Sequence, residues 1–113
     1  MSVNRIVNKS SSGLAASLVV SSIPAVLYGL TVYNGKASSQ YVQIHDAASL
    51  PADTAVPIFP PFTIGAGETR TLEFEEGRNF ETGIVVCNSS TAATKTIGSA
   101  DCMFDAQVGA LMA

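Results

Sequence analysis

The chain has 113 residues, 47% of them hydrophobic and only 13% charged, with a formal net charge of −3. The six Lys and Arg residues stand singly, which argues against nucleic-acid binding. The apolar, weakly charged composition argues against disorder, and no apolar run approaches the roughly 18 residues of a membrane span. Such a composition leaves a surface of Ala, Ser and Thr, and a charge-poor surface of that kind is expected to face other protein.

Residues 1–13 are polar and end in a Ser run before Gly13. They are expected to form a flexible arm or an edge segment, with one domain spanning 14–113. The short apolar run Leu14 to Val20 is closed by Ser21-Ser22-Ile23-Pro24, which turns the chain. The stretch Leu14 to Val26 is broken by Ser17, Ser21, Ser22 and Pro24 and lacks a cleavage pattern, so no secretory signal is expected. Val26 to Asn34 is β-branched, aromatic and alternating, and predicts a strand. Simple alternation puts Tyr28, Leu30 and Val32 on one face and Thr31 and Tyr33 on the other. Asn34-Gly35 predicts a turn, since both residues tolerate positive φ.

Gln40 to Asp46 resumes the alternation, with Val42 and Ile44 on one face and Tyr41, Gln43 and His45 on the other. A loop over Ala47 to Thr54 follows. Val56 to Ile64 holds Pro57, Pro60 and Pro61, so it predicts an edge strand or an extended connection. Gly65-Ala66-Gly67 predicts a hairpin loop. Thr69 to Glu75 predicts a strand with Leu72 and Phe74 inward, then a turn at Glu76-Gly77-Arg78-Asn79. Phe80 is expected to plug the end of the core. Gly83 to Asn88 is a continuous apolar run, as in a strand buried on both faces. After the hydroxyl-rich loop Ser89 to Ser99, the last strand alternates, with Cys102, Phe104, Ala106 and Val108 on one face. Seven or eight short strands separated by recurrent turn signals predict an all-β fold: an antiparallel β-sandwich, jelly-roll-like.

The residues offer little for catalysis. His45 and Asp46 are neighbours on a strand and point to opposite faces, so they cannot form a dyad. No Gly-x-Ser-x-Gly elbow and no His-x-x-x-His pair occurs. Glu73 and Glu75 project from one face of one strand, whereas a glycosidase needs carboxylates facing across a cleft. Asp46, Asp53, Asp101 and Asp105 do not follow the Asp-x-Asp-x-Asp-Gly pattern of a calcium loop. No enzymatic activity, cofactor or metal is expected. Cys87 and Cys102 each sit in an apolar strand-like run and are read as free, buried thiols, with a single bridge left open. Asn88-Ser89-Ser90 matches a glycosylation sequon, but Asn88 is read as capping a turn. Tyr28, Tyr33, Tyr41 and His45 are candidate interface residues, since strand aromatics off the core suit interfaces; Tyr28 serves the core equally well. The apolar tail residues Leu111 and Met112 are further candidates, either docking on a partner or covering the sandwich.

Several segments taken together resemble small virion proteins of tailed bacteriophages. They are Leu27-Tyr28-Gly29-Leu30-Thr31-Val32-Tyr33-Asn34, Gln40-Tyr41-Val42-Gln43-Ile44-His45-Asp46, Leu50-Pro51-Ala52-Asp53, Val56-Pro57-Ile58, Leu72-Glu73-Phe74, Phe80 to Ser90, and Asp101 to Val108. The resemblance covers roughly residues 14–108, and it is specific only as a set. It implies a non-enzymatic β-sandwich component of the virion, made in the host bacterial cytoplasm. The stand-alone length favours a capsid cement or decoration protein that binds the major capsid protein on the capsid surface. A homo-oligomer, with a trimer favoured, is the expected state. The alternative implied is a structural or receptor- or carbohydrate-binding module of the tail or fibre.

Overall fold

The computed structural model describes residues 6–110, and these form eight strands. They are β1 (Ile6–Ser10), β2 (Ser17–Ser21), β3 (Ala25–Asn34), β4 (Gln40–His45), β5 (Phe62–Ile64), β6 (Thr69–Phe80), β7 (Ile84–Ser89) and β8 (Cys102–Ala110). Two antiparallel four-stranded sheets result, with strand orders β1-β8-β3-β6 and β2-β7-β4-β5. The pairing follows one rule. β1 pairs with β8, β2 with β7, β3 with β6 and β4 with β5, as if one long hairpin had been rolled up on itself. Contacts β3–β8 and β4–β7 then close the two sheets. That is the jelly-roll arrangement expected from the strand count.

Alternation places the core. Leu30 and Val32 of β3, Val42 and Ile44 of β4, and Cys102, Phe104 and Ala106 of β8 fill the space between the sheets. Phe80 is fully buried at one end, as expected. Phe59 stacks on Phe74 and meets Phe80 edge-on, and the Arg78 guanidinium lies 4.5 Å above the Phe59 ring. β7 is buried along its whole length. Ile84 and Val86 enter the core, while Val85 and Cys87 point outward and are covered by loops. Both cysteines are free and buried. Burial raises the pKa of each thiol, that of Cys87 to about 11.

Local expectations are resolved or changed at four places. Residues 6–10 form an edge strand on β8, which is the second of the two readings of the N-terminal segment; residues 1–5 lie outside the described region. Glu76 to Asn79 make no turn between strands, because β6 runs on to Phe80. The excess residues are absorbed as a bulge: Leu27 faces Arg78, yet Gly29 faces Glu73. Gly77 makes this possible with φ of +79°, and a Cβ there would collide with Val26 Cγ1. The same irregularity breaks the alternation of β3. Tyr28 therefore leaves the face of Leu30 and Val32, lies beside Gly77 and is half-buried.

Asn34-Gly35 and Gly65-Ala66-Gly67 do not close hairpins. Each carries the chain from one sheet to the other, since β3 and β6 lie in one sheet and β4 and β5 in the other. Asn34 has no positive φ; it works through its buried side chain. Its Nδ2 donates to the carbonyls of Ser38, Ile64 and Gly65 at 2.9, 3.2 and 3.1 Å. Its Oδ1 accepts from the Lys36 N–H and from Gln40 Nε2. Gly35 is needed for close approach, because a Cβ there would stand 2.9 Å from the Asp101 carbonyl oxygen.

Candidate interaction surface

The outer faces of the two sheets point in opposite directions, and they divide the candidate residues between them. Tyr28 and Tyr33 belong to the β3 sheet; Tyr41 and His45 belong to β4 in the other. No single contact can use all four. Leu111 and Met112 lie outside the described residues.

His45 is corrected from a surface residue to a buried one, with 3% of its surface exposed. The cause is a two-part cover over the outer face of the β4 sheet. The Thr54 N–H donates to the Lys95 carbonyl and the Lys95 N–H to the Ala55 carbonyl, both at 2.7 Å, so the loops after β4 and β7 are laced together. The cover is tied down by the fully buried Gln43. Its Nε2 donates to the carbonyls of Thr91, Ala92 and Thr94, and its Oε1 lies 3.1 Å from His45 Nε2. Lys95, only 2% exposed, reaches Asp53 Oδ1 at 2.5 Å. Burial and then the Lys95 charge lower the pKa of His45, against a backbone hydrogen bond to Val56 that raises it. Sequence reasoning missed Gln43, Lys95 and Asp53 as a unit. A lysine in a hydroxyl-rich loop carries no local sign that its ammonium will be buried.

The acidic residues are occupied separately. Asp46 accepts the backbone N–H groups of Glu81, Thr82 and Gly83, and so holds the turn from β6 to β7. Burial opposes its ionisation, but those three donors outweigh it and keep its pKa below the ordinary carboxylate range. The Lys95 and Ile97 donors hold Asp53 low in the same way. Asp101 accepts from Ser99 and Asp105 from Gln107. Among the described residues no group of three His, Cys, Asp or Glu side chains could hold a metal. Asn88 bridges the loop before β8, accepting from Gly98 N–H and donating to the Ser99 carbonyl.

Charge is concentrated on one strand. Glu68, Arg70, Glu73, Glu75, Glu76, Arg78 and Glu81 lie on β6 or at its two ends. With Asp46, Asp53 and Lys95 engaged internally, Lys9, Lys36, Asp101 and Asp105 are the other charged side chains among the described residues. Exposed apolar side chains fill the gaps. Tyr33 and Met103 stand opposite each other on β3 and β8, 38% and 44% exposed. Leu14, 56% exposed, joins them: its Cδ2 and Tyr33 Cε2 both border the space above Gly35. Val56 and Ile58 are exposed on the loop over the opposite face. Leu14, Tyr33 and Met103 thus form an exposed apolar patch in which an aromatic and a methionine supply much of the area, with Asp101 and Asp105 two residues to either side of Met103. The chain matches no family model, no curated protein and no solved structure.

Proposed function

We propose that this protein is a structural subunit that works by lying against other protein, as a cement or decoration protein does on the head of a tailed bacteriophage. The observation that carries the proposal is the distribution of charge: it crowds β6 and leaves an exposed apolar patch at Leu14, Tyr33 and Met103. The virion setting and the major capsid protein as partner rest on the resemblance of the strand motifs. The mode of action rests on the surface. Burying that patch removes apolar area from water, and Asp101 and Asp105, two residues to either side of Met103, are placed at its rim to meet a cation of the partner. Repeated around a lattice, contacts of modest strength add up to resistance against outward pressure.

Sedimentation of the purified protein with phage heads stripped of it tests the proposal. The protein is expected to pellet with the heads. The double variant Leu14→Ser and Tyr33→Ser is expected to lose about tenfold in affinity, as for removal of a central apolar contact. A protein that stays in the supernatant, or a double variant that binds unchanged, overturns the proposal.

A further inference from the structure

The two sides of the sandwich are guarded differently. On one side the edge strands are β5 and β6. β5 is three residues long and follows Pro57, Pro60 and Pro61, while β6 carries charges and a glycine bulge. Short length, proline, charge and bulges are the devices that keep edge strands from pairing. On the other side the edges are β1 and β2. Among the described residues β1 pairs with β8 alone, all five of its residues are exposed, and its one charge is Lys9. Ile6 and Val7 are 50% and 51% exposed. An apolar groove of about 740 Å³ runs beside it, lined by Val7, Val19, Ile23, Pro24 and Val108 among others.

The hydrogen-bond phase of β1 can be read from its far end. The Ser11 N–H bonds the Phe104 carbonyl at 2.9 Å, one step beyond the Ser10–Asp105 pair. Hydrogen-bonded pairs alternate along an antiparallel ladder. Val7 and Lys9 therefore direct their backbone groups to β8. Ile6, Asn8 and Ser10 present theirs outward.

We propose that this edge pairs antiparallel with the same edge of a second copy, about a two-fold axis at Asn8. Only that register engages all three outward residues of both copies. Asn8 faces its counterpart, and Ile6 faces Ser10 of the second copy. Lys9 falls beside Val7, whose apolar surface its methylene stem covers. A register centred on Lys9 would set two ammonium groups opposite each other. The Asn8 side chain is self-complementary: Gln107 Nε2 donates to its Oδ1 at 3.3 Å, so its own Nδ2 can serve its counterpart. The contact is isologous and joins the two β8-containing sheets into one of eight strands. It yields a dimer and not the expected trimer. It stands independently of the virion reading, because it uses the edge and not the patch at Tyr33.

Sedimentation velocity and cross-linking test the pairing. The full chain is expected to show concentration-dependent dimers. Asn8→Pro removes an outward N–H and leaves the β8 ladder intact, so it is expected to be monomeric with little change in melting temperature. Asn8→Cys is expected to form a disulfide-linked dimer under mild oxidation, since Cα atoms of such a pair stand about 5.5 Å apart. Cys87 and Cys102 are buried and do not compete. A chain monomeric up to roughly millimolar concentration, a dimer that survives Asn8→Pro, or an Asn8→Cys protein that cross-links no faster than Glu75→Cys overturns the pairing. A monomer that still binds phage heads would overturn this pairing alone. A second copy displaced by some other extended segment at Asn8 would do the same.

Discussion

The amide of Asn34 ties together the ends of strands that belong to different sheets. Alanine there would remove one donor from the carbonyls of Ser38, Ile64 and Gly65 and the oxygen acceptor of the Gln40 amide, leaving Gly65 its Glu68 N–H and Gln40 only the weak Cys102 Sγ acceptor. Asn34→Ala is expected to cost about 3 kcal/mol, read as a lowered urea midpoint with an unchanged m-value. His45 makes a second prediction at this scale. Its pKa in the folded chain lies below the ordinary 6.5. Above 6.5 both folded and unfolded states hold it neutral, and its contribution to stability is full. As pH falls below 6.5 the unfolded state takes up the proton first, and stability is lost until the folded pKa is passed. Urea midpoints measured from pH 7.5 down to 5 should therefore fall, and the fall should be smaller in His45→Gln. An equal fall in the variant would assign the loss to other groups.

At the scale of the element, the strands follow alternation wherever the ladder is regular. β8 and β4 show this: the inward set Cys102, Phe104, Ala106 and Val108 and the pair Val42 and Ile44 are all buried as their spacing requires. Alternation fails where a bulge intervenes, and a bulge has no signature in period two. Tyr28 is the instance. Its phase depends on the extra residues of β6, 45 or more positions along the chain, and Gly77 alone hints at them. Gly77→Ala is expected to destabilise the fold by about 2 kcal/mol, because alanine at positive φ is strained and its Cβ meets Val26. Thermal unfolding measures this, and a neutral outcome would show that the bulge can relax. Turn residues were legible as turns but not as hairpins or sheet-to-sheet crossings. That distinction depends on which strands pair, which is a long-range matter. The burial of His45 and Lys95 was hidden for the same reason: the loops that cover them follow β4 and β7, with Asp53 and Lys95 42 residues apart in the chain.

At the scale of the whole molecule, the pairing of each strand with its mirror partner in the sequence makes most contacts non-local, β1 meeting β8 at the extreme. Folding on the millisecond-to-second scale is expected of such a topology. The same winding decides where charge and apolar surface fall. It places the most charged strand, β6, at one edge and the least guarded strand, β1, at the other. Low charge content, read along the sequence, says only that the surface suits partners. The fold sorts that surface into a charged edge, an apolar patch and an open strand. The proposed role is that of a load-sharing subunit on a virion head. A cryo-EM map of the intact phage particle tests it most directly. Density for this sandwich is expected on the outer surface of the head, with the patch of Leu14, Tyr33 and Met103 against the capsid lattice. Density at the tail alone, or no copy of the chain anywhere in the particle, would contradict it.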